Sequence, residues 1–209
     1  LILTTYFFTT HWDKIRFTYT EANLLPDTHP ENIKYRAFTE KFGEEGNLIV
    51  ISVKDSTLFT IEKLNAWNNL SNSFKGNSDV STVISFGDLQ KLKKDQDSRQ
   101  FYIEPFIKDS ISSSEEVENL KYEIFNRTPF YDKFLINSES KAVRTAINLK
   151  TEVVNTILRE KFVNELLLPR VSTFEKDYNI DVRISGMPYV RTKYSETIKK
   201  ELGLSLIHI

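Results

Sequence analysis

Regular alternation of apolar and polar residues over 180–185 predicts a strand with one buried face. Isoleucine and valine alternate there with polar residues, which is the two-residue period of a half-exposed strand. Gly186 permits backbone angles that other residues avoid, and Pro188 suits the first turn of a helix. The pattern therefore predicts a sharp corner between this strand and a helix over 189–202.

The first half of the chain predicts a strand, a helix and a second strand. The apolar, β-branched run Leu48–Val53 predicts a central strand covered on both faces. Apolar residues at helical spacing follow over 58–74, and Asp55 or Ser56 can cap that helix. This stripe consists of Leu58, Ile61, Leu64, Trp67, Leu70 and Phe74. A second strand is predicted over 80–86.

The second half of the chain predicts a hairpin, a long helix and the final strand. The hairpin pairs 134–137 with 142–149 across a polar turn. The helix is predicted over 156–178, where Pro169 is positioned to kink it. Its predicted inward residues are Ile157, Phe162, Leu166, Val171 and Phe174. The element order predicts an α+β, ferredoxin-like (split β-α-β) domain with an extra hairpin strand and an inserted loop-helix segment.

Two shorter helices and an irregular insertion lie outside this pattern. Apolar residues recur after the proline at position 30 and predict a short amphipathic helix that ends at Gly43. These residues are Ile33, Ala37, Phe38 and Phe42. Between 87 and 114 the periodicity is lost among charged residues and serines, so this insertion is expected to be more mobile than its flanking strands. A helix over 115–126 follows, with Ser114 as its cap.

The apolar segment 101–107 within the insertion has two interpretations. It is either a loop packed back onto the domain or part of a path for an apolar substrate, since apolar side chains with a few polar groups make such surfaces. The sequence leaves both interpretations open.

Composition narrows the class of protein. The chain has 209 residues, of which 40% are hydrophobic and 27% charged, as expected for a folded domain. Its 28 basic residues are balanced by 29 acidic ones, so no field favours nucleic acid as a partner. The absence of cysteine excludes disulfides and thiolate chemistry.

Candidate chemistry is sparse. The 3 histidines are far apart in sequence and form no zinc motif. The acidic run at 95–97 lacks the glycine and the terminal glutamate of an EF-hand, and no glycine-rich phosphate loop occurs. We therefore expect no catalytic residue, no metal site and no cofactor, and the chain is not predicted to be an enzyme.

Three segments together carry a resemblance to a known family. These are the corner 184–192 (ISGMPYVRT), the segment 19–26 (YTEANLLP) and the segment 29–32 (HPEN). In this order and spacing the chain resembles, over 1–203, the resistance-nodulation-division (RND) superfamily of membrane exporters. The MMPL-like branch is the most similar, in its extracytoplasmic loop between the first two transmembrane helices.

The resemblance implies a function and a location. It implies secondary active export of hydrophobic or lipid-like substrates, driven by a proton or other ion gradient, through a protein of the bacterial inner membrane whose present segment is periplasmic. The implied partners are the lipid bilayer, the substrate, and either further copies of the chain or envelope proteins. The ionisable residues that couple to protons belong to transmembrane helices of such exporters, so none is assigned here.

The same resemblance divides the chain into four segments. We expect 1–12 to be the end of a truncated transmembrane helix, 13–188 the porter domain, and 189–203 a helix leading towards the second transmembrane helix. An apolar edge strand or the start of a buried helix is the alternative for 1–12. The segment 204–209 is expected to be a translated sequencing adapter.

Two questions about function stay open at the level of sequence. Gly186, Met187 and Pro188 are predicted to form a hinge between the porter domain and its helix, whereas a simple tight turn would use the same residues. The alternative function is a free-standing, soluble ferredoxin-like module that binds a small ligand or a protein.

Overall fold

The computed structural model describes residues 25–43, 46–95, 99–107 and 110–207, together with residues 4, 6, 7 and 10, and includes side chains up to 201. The expected end of a membrane helix at 1–12 therefore lies mostly outside the described residues. The side chains of the expected adapter, 204–209, lie outside them as well.

An α+β domain with a mainly antiparallel sheet forms the structure. The strands are β1 (Leu48–Val53), β2 (Val80–Ile84), β3 (Gln90–Lys94), β4 (Phe101–Pro105), β5 (Ile136–Asn137), β6 (Ala142–Leu149) and β7 (Val182–Ser185). The helices are α1 (Pro30–Phe42), α2 (Ile61–Ser73), α3 (Ser114–Arg127), α4 (Thr151–Val154), α5 (Ile157–Lys161), α6 (Leu168–Tyr178) and α7 (Met187–Ile207). The main sheet has the order β2-β6-β1-β7, with the predicted extra strand β5 paired to β6.

Strand β1 lies in the middle of the sheet, as predicted. Ile51 is opposite Thr145 of β6 on one side and Ile184 of β7 on the other, and both pairings are antiparallel. The alternate residues Ile49, Ile51 and Val53 are fully buried. The other face of β1 is only half buried, so the prediction of cover on both faces is wrong. The reason is that the helices α2 and α6 pack against a single face.

Aromatic packing joins these two helices over the sheet. Trp67 of α2 is fully buried and meets Phe174 of α6 edge-to-face, with 5.5 Å between the ring centroids. Such pairs add roughly 0.5–1.5 kcal/mol beyond the area that they bury. The predicted stripe of α2 therefore forms part of the core. Its cap was predicted wrongly, because Thr60 caps α2 while Asp55 caps a separate 3₁₀ turn at Ser56–Leu58.

The long helix predicted over 156–178 is interrupted by a wide turn. Thr156 caps α5, and a π-helical segment, Phe162–Leu167, joins α5 to α6. There the N–H of Leu168 donates to the carbonyl of Val163. Pro169 has no N–H and its ring crowds the carbonyl four residues back, which favours a widened turn before it. The predicted disturbance at Pro169 thus takes the form of a π segment.

The predicted inward face of this helix is largely correct. Phe162, Val171 and Phe174 are buried, and Leu166 packs against the core from a half-buried position. Ile157 is 42% exposed and was predicted wrongly, because it is the first residue of α5 and lies at the end of the buried stripe.

Helix α1 forms where the sequence predicts it but is not amphipathic. His29 caps it, Pro30 opens it, and none of its residues is buried. Ile33 and Phe42 are nine residues apart, which at about 100° per residue places them on opposite sides of the helix. The prediction of a helix from this spacing is therefore confirmed, and the prediction that the helix has one apolar face is wrong.

The insertion contains a hairpin that the sequence did not predict. Strands β3 and β4 pair in a separate two-stranded sheet, with Leu92 opposite Ile103. The side-chain amide of Asn65 exchanges two hydrogen bonds with the backbone of Ile111 and fixes the far end of the insertion to α2. Helix α3 is capped by Ser113 rather than by the predicted Ser114. The greater mobility expected for 87–114 stays a prediction.

Asp88 fixes the near end of the insertion. Its carboxylate accepts hydrogen bonds from the backbone N–H and the hydroxyl of Ser85, both 2.9 Å long, and from the ammonium group of Lys75 at 2.6 Å. Although burial opposes ionisation, the hydrogen bonds from Lys75 and Ser85 hold the pKa of Asp88 below its usual value.

We expect Asp88→Ala to lower the free energy of unfolding by about 1 kcal/mol at pH 7, as loss of a capping carboxylate does. Because the pKa of Asp88 is lower in the folded state, its stabilisation is present above the ordinary aspartate pKa of 3.8 and is lost as the pH falls through the folded value. The difference between the two proteins should therefore shrink in urea unfolding below pH 3.8. Asp177→Ala, which removes an exposed carboxylate on α6, is the control. A difference that is constant with pH would contradict this role of Asp88.

Candidate ligand-binding cleft and the strand–helix corner

The hairpin β3–β4 stands over helix α3 and leaves a cleft between them. The smaller compartment of the cleft has a volume of about 370 Å³ and lies between the inner face of the hairpin and α3. Lys91, Lys93 and Glu104 line it from the hairpin. Glu116 and Glu123 line it from α3. Because both facing surfaces carry charged side chains, they do not close into dry packing, which would leave charges desolvated.

Glu104 holds the lysines of the cleft in place. Its carboxylate oxygen lies 2.6 Å from Nζ of Lys93 and 4.0 Å from Nζ of Lys91. The hydrogen bond to Glu104 and its charge raise the pKa of Lys93. Lys91 also stands over the ring of Phe106, with its nitrogen 5.3 Å from the ring centroid. The two ammonium groups are therefore positioned on one wall of the cleft.

The larger compartment has an aromatic wall. Its volume is about 750 Å³, and Phe106, Phe130 and Tyr131 line it together with Arg127. The hydroxyl of Tyr131 donates to the carbonyl of Gln90 at 3.0 Å, which fixes that ring beside β3. The rings of Phe130 and Tyr131 meet edge-to-face at 5.1 Å. Both volumes fall within the ~300–1,000 Å³ that is usual for ligand pockets.

For the segment 101–107, packing back onto the domain is confirmed for part of the residues, whereas the substrate path stays a prediction. Phe106 and Ile107 pack against the core and line the cleft. Phe101 and Ile103 lie on the outer face of the hairpin and are 65% and 64% exposed. The sequence missed the cleft itself because the lysines of β3 stand in a run that is typical of a solvated surface. Their alternation with Leu92 is the signal that could have predicted the strand.

The cleft offers several kinds of contact to a ligand. No group of three or more His, Asp or Glu side chains within the described ranges could hold a metal ion. The cleft offers ammonium and guanidinium groups, carboxylates and aromatic rings, which bind ligands by charge and apolar contact.

The predicted corner is tightly packed against the central strand. Gly186 has a φ of 115°, which favours glycine. A Cβ at this position would overlap the carbonyl oxygen of Leu48 and come within 2.9 Å of the Cα of Ile49. Met187 is half exposed and opens α7, and Pro188 is buried in its first turn. The strand, the glycine turn and the helix start are therefore where the sequence predicts them, while the hinge role stays a prediction.

Helix α7 is fixed to the domain beyond the corner. Thr192 is fully buried, and its hydroxyl donates to the carbonyl of Pro188 at 2.9 Å. Glu196 accepts hydrogen bonds from Asn164 at 2.6 Å and from Lys193 at 3.0 Å. Although burial opposes ionisation, these two partners lower the pKa of Glu196. A movement of α7 relative to the segment Phe162–Leu167 must therefore break the hydrogen bond between Asn164 and Glu196.

A further ion pair joins the same helices one turn later. Nζ of Lys199 lies 2.8 Å from the carboxylate of Glu160 on α5. Half-exposed pairs of this kind contribute about 0–1 kcal/mol each, so the buried Thr192 and the packed corner account for more of the attachment.

Comparison with known proteins finds no match to any family model and no significant match to a curated protein. The resemblance to RND exporters therefore rests on the residues quoted for it and stays a hypothesis. Within the described parts of the chain, no helix combines the length and the apolar character that crossing a membrane requires.

A comparison of two glycines with positive φ distinguishes the energetic cost of backbone strain from that of steric overlap. Gly76 has a φ of 75° with nothing within 4 Å of an added Cβ, whereas Gly186 faces the backbone of β1. We expect Gly76→Ala to cost about 1 kcal/mol and Gly186→Ala at least about 2 kcal/mol more, because the latter must also push β7 away from β1. Chemical denaturation of both variants measures the difference. Equal losses would show that the approach of Gly186 to Leu48 is not tight.

Proposed function

We propose that the chain is an extracytoplasmic porter domain of an RND-type, MMPL-like membrane exporter and contributes to the path of hydrophobic or lipid-like substrates. The observation that carries the proposal is the corner at 184–192. It has the residues on which the resemblance depends, and it joins the last strand of the sheet to α7.

The strand order supports the ferredoxin-like architecture that the proposal requires. In the order β2-β6-β1-β7, the unit β1-α2-β2 leaves a gap that β6 fills, and the unit formed by β6, α5, α6 and β7 leaves a gap that β1 fills. Two interleaved strand–helix–strand units of this kind make a split β-α-β fold. We therefore infer a ferredoxin-like porter domain with the β3–β4 hairpin and α3 inserted between its halves.

The cleft supplies a surface for substrate contact. Phe106 and Ile107 line it from the segment for which a substrate path was one interpretation, and Phe130 adds an aromatic wall. Energy coupling belongs to transmembrane helices in this proposal, where buried ionisable groups are costly and functional. No described residue is assigned as a proton carrier.

A soluble module that binds a small ligand is the second candidate function. The observation that favours it is the same cleft, since a pocket of about 750 Å³ can hold a small molecule without any transport.

The parent reading frame separates the two functions. For an exporter we expect an apolar run of about 20 residues shortly before Trp12 and another shortly after Gly203, because a bilayer span needs that length. Sequencing the parent gene, or its transcript, gives the answer directly. A start codon just before Leu1 together with a stop soon after Gly203 would favour the soluble module and contradict the exporter.

The hinge is tested by export from the full-length protein. Pro188→Ala frees the turn without adding bulk, so the hinge hypothesis expects export to fall at equal abundance while the isolated domain melts at the parental temperature. Pro26→Ala is the matched control, because Pro26 lies in an exposed turn that is distant in sequence from Pro188. Parental export by the Pro188→Ala variant would remove the hinge role and leave the corner as scaffold.

A further inference from the structure

The larger compartment of the cleft carries more positive than negative charge. Among the described residues, Lys91, Lys93 and Arg127 line it, against the one carboxylate of Glu123. Arg127 pairs with Glu123 at 3.2 Å. One more carboxylate, that of Glu104, stands behind the two lysines and lies closest to Lys93. Lys93 and Arg127 thus each have a close carboxylate partner, whereas Lys91 lies at the limit of an ion pair.

Among the described residues, Glu116 is a further acidic residue of the cleft, and it is hydrogen-bonded to Ser112. Glu116 lines only the smaller compartment, where its carboxylate accepts hydrogen bonds from the backbone N–H and the hydroxyl of Ser112. The hydrogen bond from the backbone N–H of Ser112 lowers the pKa of Glu116, although burial opposes ionisation. Glu116 therefore keeps its negative charge in the smaller compartment, where its contacts with Ser112 stabilise the start of α3.

Lys91 is the cation best placed to meet a ligand. Its ammonium lies 4.0 Å from Glu104, at the limit of an ion pair, whereas Lys93 lies at 2.6 Å from the same oxygen. It also stands over Phe106, so a negative group that approaches Lys91 comes into contact with an aromatic surface at the same time. Phe130 and Tyr131 continue that surface along the compartment.

We propose that this cleft binds an amphiphilic aromatic monoanion, with its acid group at Lys91 and its apolar body against Phe106, Phe130 and Tyr131. As a contact site for an exported substrate, the cleft rests on the proposed function. Binding itself requires only the chain described above.

Two dyes that differ in one charged group test the proposal. 8-Anilinonaphthalene-1-sulfonate carries a sulfonate on an aromatic body, and N-phenyl-1-naphthylamine has the same rings without the sulfonate. Fluorescence titration of the full chain should give one saturable site for the anionic dye. We expect that site to bind the anion up to about fivefold more tightly than the neutral dye, since a half-exposed ion pair contributes up to about 1 kcal/mol.

Matched variants on strand β3 locate the binding. Lys91→Gln removes the charge inside the cleft. It should lower the affinity for the anionic dye about fivefold and leave the affinity for the neutral dye unchanged. Lys94→Gln removes the same charge from the outer face, where Lys94 stands over Phe101, and should change neither dye. Phe130→Ala should weaken both dyes, and because Phe130 is 80% exposed it should not unfold the chain.

Three results would overturn the proposal. These are equal affinities for the two dyes, equal effects of Lys91→Gln and Lys94→Gln, and binding that survives Phe130→Ala unchanged. Should Lys91→Gln fail to fold, as judged by circular dichroism, Arg127→Gln tests the charge of the same compartment. The affinity for the anionic dye should then fall, and the affinity for the neutral dye should not. Loss of the site would leave the exporter proposal standing, because export is measured separately on the full-length protein.

Discussion

The structure depends on strand β1 being paired along both of its edges. Its backbone is hydrogen-bonded to β6 on one side and to β7 on the other, so neither half of the chain completes a sheet without the other half. The approach of Gly186 to the Leu48 carbonyl is possible because β7 ends beside the start of β1 with no side chain between them. The position of the corner, and with it the start of α7, follows from this pairing.

Much of this arrangement could be predicted from the sequence because local pattern and tertiary burial agree. One backbone conformation is favoured by each of three local patterns: the apolar stripe through Trp67 in α2, the β-branched run in β1, and the glycine at position 186. Each then meets a partner that satisfies it, as Trp67 meets Phe174. Where local chemistry and global packing favour the same structure, periodicity is a reliable guide.

The rest could not be predicted because it depends on partners that are distant in sequence. The strand β3 has lysines at alternate positions, and only its pairing with β4 over α3 shows that Lys91 and Lys93 face a cleft. Helix α1 has apolar residues at helical spacing but no buried face. Ile33 and Phe42 lie on opposite sides of the helix, so no single side is apolar. The tie between Asn65 and Ile111 is a side-chain contact across 46 residues, which no local pattern records.

The interleaved strand order also has a consequence for the route by which the chain folds. Ser52 and Arg183 pair across the sheet although 131 residues separate them. A sheet closed by its last strand has a high contact order, and domains of this kind fold more slowly than those built from local contacts. During synthesis, the free edge of β1 stays open until the segment around Arg183 has left the ribosome. The unpaired edge of this apolar strand therefore stays exposed until β7 is made, and such exposed strand edges favour aggregation of partly folded chains.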